Sequence, residues 1–416
     1  MATIRVTCLA CCLCMTAAAQ GDEKAPVQYL KADAYHVLPG THNNESGYFS
    51  LCEGLNRRIY IGTTRYGENS HLVEFDPKTG RQRMVIDTHK LCGLTDTGYA
   101  AQAKIHSRND VGASGKIYCG SYQGYRQDKS DTSEYKGGYV MTYDPKTDTA
   151  EQLGMPCPGE GVGDVVADEA NDRLYIVTSL DWRWIVYDMK TRKYRPLNVT
   201  LTPLARTMID VRGRANAFTD NFRLARYDPA TDTVTIRPVV YNGKDIRATV
   251  QKAYWTHVSD GKIAYMVTID DKRRRANLWA IDLLSDGPTV RAELCTILVE
   301  GDNLDCNCGL DLGPDGRLYA VVRAENKGEE LQHLLRYDPD TKQLERLGAV
   351  ALRDPGYVER ASTRPDGGRT PHHGFFKRPD GAVVPRHHLA MIVTDDGTIY
   401  LTYLYPFTLA RIEAIP

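Results

Sequence analysis

A short turn motif recurs along this chain and constrains its fold more than any other feature. The motif consists of an aromatic residue, Asp, usually Pro, any residue and Thr, and five clear copies begin at Phe75, Tyr143, Tyr187, Tyr227 and Tyr337. A degenerate sixth copy begins at Ile281. The Asp side chain can accept a hydrogen bond from the backbone two residues on, and Pro presets φ. Each copy therefore predicts a tight turn between two strands.

A second motif, an alternating strand that mostly follows a Gly or Asn turn, recurs between these turns. Its copies begin at Arg58, Lys116, Arg173, Lys262, Arg317 and Thr398, with a weaker copy near residues 208–217. The six Asp turns lie 68, 44, 40, 54 and 56 residues apart, close to the period of about 40–50 residues of propeller repeats. Helical solenoids are excluded because apolar residues alternate with period two. The seven repeats predict an all-β, seven-bladed β-propeller, with the last strand pairing with the N-terminal chain to close the ring.

The composition and the N-terminal segment limit the partners and the cellular location that can be expected for this chain. The formal net charge of −1 argues against nucleic acid bound through bulk electrostatics. Residues 1–19 combine Arg5, an apolar run over residues 6–15 and three alanines before Gln20. This pattern predicts a secretory signal peptide, since the run is too short to span a membrane. We expect residues 20–416 to form one exported domain, secreted or periplasmic, and the four cysteines of the leader leave a lipid-anchored variant open.

The remaining cysteines suggest a metal site rather than a disulfide framework. Seven lie beyond residue 19, an odd and scattered set. Cys306 and Cys308 are too close in sequence for an easy mutual bridge. Together with His373 and His388, one from each of two His-His pairs, they would complete a tetrahedral, structural zinc site with no open position. The alternative is two free thiols and solvated histidines.

Polar residues that precede an innermost strand of a propeller should lie on the rim around the central channel. Residues at the exit of the following strand pair can reach the same area. The first group contains Lys104, His106, Arg108, Arg206, Tyr254 and His257, and the second contains Tyr122, Tyr125 and Arg126.

Several short segments resemble the seven-bladed polysaccharide lyases that include the ulvan lyases. The segments are residues 103–106 (AKIH) before 115–118 (GKIY), residues 122–125 (YQGY), and the closing residues 395–400 (DDGTIY) and 404–409 (LYPFTL). In that family a His or Tyr pair acts with an Arg on uronate-containing polysaccharides. The family often has a His where this chain has Tyr122. The resemblance therefore implies an exported lyase with an acidic, ulvan-like polysaccharide substrate.

The residue types fit the chemistry of β-elimination. A lyase must neutralise the uronate carboxylate, remove the C5 proton and protonate the leaving oxygen. Arg can bind the carboxylate in bidentate fashion, and His and Tyr can transfer protons. We expect His106 as base or acid, Tyr122 or Tyr125 as its partner and Arg206 as the neutralising group. The expected substrate contacts are Arg108, Arg126, Tyr254 and His257.

Other interpretations of the same residues stay open. His106 is equally consistent with a hydrogen-bonded structural histidine, the tyrosines with strand ends, and Arg206 and His257 with a rim ion pair and a packed imidazole. The alternative function is a non-catalytic propeller that binds a glycan or a protein, because propellers host many functions. A glycoside hydrolase is disfavoured, since the rim segments are poor in the paired carboxylates that it needs.

Overall fold

The structure is a computed structural model that describes residues 27–38, 49–248, 255–326, 329–363, 367–369 and 373–416. The predicted signal peptide and the predicted contact residue Tyr254 lie outside these ranges. Strands dominate the described chain, and none of its helices is both long and apolar enough to cross a membrane.

The chain begins with strand β1 (Tyr29–His36) and then forms antiparallel meanders in sequence order. The first meander comprises β2 (Leu51–Glu53), β3 (Ile59–Gly62), β4 (His71–Phe75) and β5 (Gln82–Asp87). Helix α1 (Thr88–Cys92) and a 3-10 turn (Gly98–Ala100) lead to the second. Its strands are β6 (Lys104–Ile105), β7 (Asp110–Val111), β8 (Ile117–Tyr122), β9 (Val140–Asp144) and β10 (Thr149–Gly154).

Two four-stranded meanders and a six-stranded sheet follow. The third meander comprises β11 (Val162–Asp168), β12 (Arg173–Thr178), β13 (Arg183–Asp188) and β14 (Lys193–Thr200), with a 3-10 turn at Glu169–Asn171. The fourth comprises β15 (Met208–Ile209), β16 (Ala215–Phe218), β17 (Leu224–Asp228) and β18 (Thr233–Arg237). The six-stranded sheet contains β19 (Val239–Tyr241), β20 (Lys244–Asp245), β21 (Trp255–Ser259), β22 (Ile263–Ile269), β23 (Arg275–Asp282) and β24 (Val290–Glu300), with a 3-10 turn at Ile246–Ala248.

The C-terminal part contains two further meanders and a small hairpin. The first meander comprises β25 (Asp302–Asp305), β26 (Leu310–Leu312), β27 (Leu318–Asn326), β28 (Glu329–Asp338) and β29 (Gln343–Leu352). Helix α2 (Tyr357–Ser362) and the hairpin of β30 (Phe375–Lys377) and β31 (Val383–Pro385) follow. The last strands are β32 (His388–Val393), β33 (Ile399–Tyr403) and β34 (Thr408–Ile412).

Strand β1 joins the two ends of the chain. Its first half pairs in parallel with β29, and its second half pairs antiparallel with β34, with His36 opposite Thr408. The predicted pairing of the last strand with the N-terminal chain is confirmed. This pairing ties the last meanders into one nine-stranded sheet.

The innermost strands of the sheets lie next to a central channel. Neighbouring innermost strands contact one another in the orders β2–β7–β11 and β15–β21–β26–β32–β2. Such a ring of meanders is a β-propeller, and the predicted all-β propeller class is confirmed. Because strand pairing does not divide the nine-stranded sheet between blades, the count of seven blades stays a prediction.

The repeated Asp turns connect the last two strands of their meanders or sheets in sequence order, and they show the predicted hydrogen bond. In the turns at Asp76, Asp144 and Asp228, Oδ1 accepts the backbone N–H two residues on at 2.9 Å. Asp282 of the degenerate copy accepts the N–H of Leu284 at 2.9 Å. The hydrogen bond from the backbone to the Asp side chain therefore also forms in a turn without Pro.

Buried tyrosines explain why this chain uses Tyr rather than Phe between its sheets. Tyr60, Tyr118 and Tyr227 are at most 2% exposed. Their hydroxyls donate to carboxylates at 2.8 Å, respectively to Glu74, Glu169 and Asp232. Each ring thus fills the core while its hydroxyl reaches a polar partner at the edge.

Candidate functional site

Aromatic and cationic side chains line a cleft of about 430 Å³ beside the second meander, which we call the aromatic cleft. Its rings come from Phe49, Tyr99, Tyr122, Tyr125 and Trp182, and it is also lined by Lys104, His106, Arg126, Leu180 and Leu204. A concave, largely apolar pocket with a few convergent polar groups is the usual form of a ligand site.

Lys104 lies at the centre of a group of tyrosine rings. Strand β6 pairs with β8 so that Lys104 stands opposite Tyr122. Its Nζ lies 4.5 Å from the ring centroid of Tyr122, 5.3 Å from that of Tyr125 and 5.6 Å from that of Tyr66. These distances are in the range of cation–π attraction, so the rings hold the ammonium group at the wall of the cleft.

His106 packs between two rings and is only 8% exposed. Its ring centroid lies 4.7 Å from that of Tyr122 in a stacked arrangement and 4.9 Å from that of Phe49 in an edge arrangement. Burial, with the charges of Lys104 and Arg108, holds the pKa of His106 well below its usual value. The imidazole is therefore neutral near pH 7, as a general base must be, although a base with so low a pKa is weak.

Tyr122 is the other potential proton-transfer group of the cleft. Burial raises the pKa of its phenol, so the hydroxyl keeps its proton at neutral pH. The ring lies directly over the backbone of Gly161, where a Cβ atom would approach Cγ of Tyr122 to 2.8 Å. A glycine at position 161 is thus required for the position of this ring.

Arg126 lies at the edge of the cleft, where contacts with the protein fix the position of its guanidinium group. Its guanidinium lies 4.2 Å from the ring centroid of Tyr99. It donates to the backbone oxygen of Asp131 and, at 2.8 Å, to that of Ser133. Its Nη1 also lies 3.9 Å from Oδ1 of Asp131, so its charge is partly balanced by that carboxylate. Arg has five N–H donors, more than these contacts use. A fixed guanidinium with remaining donors is suited to a planar carboxylate.

Three further predicted rim residues, Arg108, Arg206 and His257, lie in the central channel. They line a second cavity of about 340 Å³ together with Cys52, Asp110 and Asp311. Arg206 donates to Asp110 at 2.5 Å and to Asp164 at 3.3 Å. Arg108 Nε lies 3.9 Å from Oδ1 of Asp164. The charge of Arg206 is therefore already engaged by two carboxylates of the protein.

Burial strongly perturbs the titration of this channel cluster. It raises the pKa of Asp164 and of Asp311 to about 6, although Arg206 and Arg108 oppose the rise at Asp164. Burial together with Arg108 lowers the pKa of His257 to about 3, so this imidazole is neutral. Burial alone would lower the pKa of Arg206, but Asp164 and Asp110 outweigh it and raise that pKa. The guanidinium stays charged at every relevant pH.

The structure thus divides the predicted catalytic and contact residues between two places. His106, Tyr122, Tyr125 and Arg126 share the aromatic cleft. Arg206, Arg108 and His257 line the central channel. The roles assigned to these residues stay predictions, and the ion pair and the packed imidazole weighed for Arg206 and His257 correspond to their observed contacts.

The four predicted zinc ligands are all described. The segment of Cys306 and Cys308 meets the start of β32, where His388 Nε2 lies 3.0 Å from the carbonyl oxygen of Cys306. His373 instead packs on Tyr405, with ring centroids 4.5 Å apart. Among the described residues no three His, Cys, Asp or Glu side chains are grouped to hold a metal ion. The zinc site stays a prediction without structural support.

Sequence reasoning missed residues of both cavities. Tyr99, Leu180 and Trp182 line the aromatic cleft, but no motif singles them out. Asp110 lines the channel cavity, and Asp164 pairs with Arg206 beside it. A sequence signal existed for Asp164, since it lies in the otherwise largely apolar strand β11. The channel is lined by Asp110 and Asp311, so the expectation that the rim is poor in acids is wrong there.

Comparisons with known proteins support the fold and no more. No family model matches this chain, and no curated protein matches it either. The chain is similar to the extracellular domain of a proposed one-component system from B. thetaiotaomicron, with a TM-score of 0.55 and 13% identity over 92% of this chain and 40% of that one. It thus spans about two fifths of that relative's length.

Two further structures are similar at comparable levels. YCF48 from Cyanidioschyzon merolae has a TM-score of 0.50 and 9% identity over 93% of this chain and 99% of that one. The β-propeller domain of Cps50 (Swd1) from Myceliophteria thermophila has a TM-score of 0.49 and 10% identity over 88% of this chain and 96% of that one. None of the three is described as a polysaccharide lyase. Similarity at such low identity shows the fold alone.

Proposed function

We propose that this protein is a glycan-binding propeller that works outside the cytoplasm and takes an acidic polysaccharide chain in its aromatic cleft. The main observation in support is that five aromatic rings, Lys104 and Arg126 line the same cleft. The C–H faces of sugar rings pack on aromatic side chains, and sugar carboxylates pair with cations.

The exposure of the cleft residues supports binding more directly than catalysis. Tyr125 is 65% exposed, unusually open for a large ring, so most of its surface is available to a ligand although Lys104 lies over the ring. His106 stacks on Tyr122, so the flat faces of the two groups, rather than a proton donor and an acceptor, lie against each other. Arg206, the expected neutralising group, is engaged in the channel.

The proposal is tested by titrating the purified protein with uronate polysaccharides, ulvan included, and with the same polymers after carboxyl reduction to neutral sugars. We expect binding of the acidic forms that weakens with added salt. Tyr125→Ala should lower the affinity about tenfold, because one aromatic contact contributes about 1–1.5 kcal/mol.

Met84→Ala is the matched control, since Met84 is also exposed but lies on β5, outside the residues that line the cleft. It should leave the affinity unchanged. Equal affinities of the Tyr125 variant and the wild type would place the glycan elsewhere. No binding to any acidic polymer would refute the proposal.

A second candidate function is cleavage of the bound polysaccharide by β-elimination. The observation in its favour is the contact between a neutral imidazole and a protonated phenol, at His106 and Tyr122, beside two cations. In this scheme His106 accepts the C5 proton and Tyr122 protonates the leaving oxygen.

Elimination creates an unsaturated uronate, which is followed by its ultraviolet absorbance. Tyr122→Phe keeps the ring but removes the proton, so it should lower the rate about 100- to 10,000-fold while the affinity is kept. An unchanged rate in this variant would exclude Tyr122 as the acid. A flat trace for the wild type with every polymer that it binds would leave glycan binding as the function.

A further inference from the structure

Three apolar residues that line the aromatic cleft have left-handed backbone conformations. The φ angles are +67° at Leu180, +52° at Trp182 and +63° at Leu204. Bulky L-residues rarely adopt this region because Cβ crowds the following carbonyl group. Strained backbone of this kind persists only where the surrounding structure imposes it, and it is concentrated at functional sites.

A buried carboxylate imposes the conformation of residues 179–183, which we call the 179–183 turn. Glu160 is 5% exposed. It accepts hydrogen bonds from the Thr178 hydroxyl and from the backbone N–H of Asp181, the latter at 3.4 Å, and it pairs with Arg183 Nε at 2.9 Å. Three anchors around two strained residues hold the turn in one shape.

Packing of the Leu180 side chain does not explain the strained backbone of the 179–183 turn. Leu180 is 57% exposed, so it buries little apolar surface in the protein. Asn or Gly would adopt the same backbone conformation with less strain. Trp182 is half-buried against the core of the third and fourth meanders, and it too lines the cleft. Neither side-chain burial nor backbone preference therefore accounts for a leucine at position 180.

We infer that the 179–183 turn is a ligand platform, on which Leu180 and Trp182 contact the apolar face of a sugar ring, and that Glu160 is a positioning residue for it. This inference rests on the proposed glycan binding and deepens it. Tyr125 and the turn both line the cleft, so the platform supplies an apolar wall while Arg126 supplies charge at its edge.

The first test compares Leu180→Asn with the wild type by thermal unfolding and by titration with the acidic polysaccharide that the wild type binds best. The melting temperature should be equal to or higher than that of the wild type, since Asn tolerates the left-handed region. The affinity should fall about fivefold, because a half-buried leucine contact is lost. Leu55→Asn, at a leucine 62% exposed that does not line the cleft, should change the affinity by less than about twofold.

The second test separates positioning from general stability through a double-mutant cycle. Glu160→Gln removes the charge that holds Arg183 and should weaken binding in the wild-type background. In the Leu180→Asn background the same change should have a much smaller effect, because the contact it positions is already gone. Additive effects would mean that Glu160 acts through stability alone, and would overturn its positioning role.

The outcomes distinguish the platform from the proposed function. A wild type that binds, a Tyr125→Ala variant that loses affinity and a Leu180→Asn variant that binds as the wild type does would overturn the platform and leave glycan binding intact. A wild type that binds no acidic polysaccharide would overturn both.

Discussion

Replacement of Arg206 with methionine is expected to lower the free energy of unfolding by about 3–5 kcal/mol. Methionine fills a similar volume but leaves Asp164, which is 1% exposed, and Asp110 without their shared cation. A buried carboxylate has lost its hydration by water. When its cationic partner is removed, no interaction offsets the free energy of that loss. Chemical denaturation at pH 7 measures the loss as a lower midpoint at unchanged slope.

Arg212→Met is the matched control for this experiment. Arg212 pairs with Asp286 at 2.5 Å, but their side chains are 48% and 59% exposed. Surface ion pairs of this kind contribute about 0–1 kcal/mol. Equal midpoints for the Arg206 and Arg212 variants would show that the channel ion pairs do not hold the innermost strands together.

The same experiment bears on the elimination candidate. A loss of activity in an Arg206 variant identifies a neutralising group only if the variant remains as stable as the wild type. We expect destabilisation instead, since Arg206 joins Asp110 of β7 to Asp164 of β11 from the chain that leads into β15. Its primary role would then be to hold three meanders at the channel.

Replacement of Arg126 with methionine is expected to weaken binding of an acidic glycan about 10- to 100-fold, the value of one charge-assisted contact. Binding of the carboxyl-reduced glycan should change little, because it has no carboxylate for the guanidinium. Calorimetric titration with each glycan gives the two affinities. Their ratio measures the preference of the protein for the acidic glycan over the carboxyl-reduced one.

Arg126→Lys serves as the conservative variant. Lysine keeps the charge but not the planar pair of donors, so it should recover only part of the lost affinity. Unfolding of each variant is measured in parallel, since Arg126 also binds the backbone at Asp131 and Ser133. An equal loss for acidic and reduced glycans would contradict carboxylate recognition and indicate a purely structural role.

The turn and strand periodicities were sufficient to predict the all-β propeller class. Each Asp turn depends on contacts within a few residues, so it can be read locally, as the bonds at Asp76 and Asp282 show. Ring closure by β1 and β34 followed from the need to cover exposed strand edges. The number of blades does not follow from strand pairing in the same way, since β1 belongs to two meanders at once.

Part of the cleft could also be predicted from neighbouring sequence. His106, Tyr122, Tyr125 and Arg126 lie within one short stretch, and pairing of β6 with β8 brings its two ends together. Short-range pairing therefore placed them in one cavity. No comparable local constraint connects Leu180 or Trp182 to that stretch, and they reach the cleft only because the third meander packs beside the second.

The amino-acid sequence by itself determined the strands, the turns and the grouping of polar residues at the entrances to the innermost strands, since all three depend on local hydrogen bonding and alternation. Only the tertiary structure decided which polar groups face a ligand and which face one another. Arg206 and His106 both precede innermost strands, yet Arg206 meets Asp110 and Asp164 in the channel while His106 packs on Tyr122 in the cleft. The packing of separate meanders determines whether a carboxylate lies within reach of a given guanidinium, as it does for Arg206.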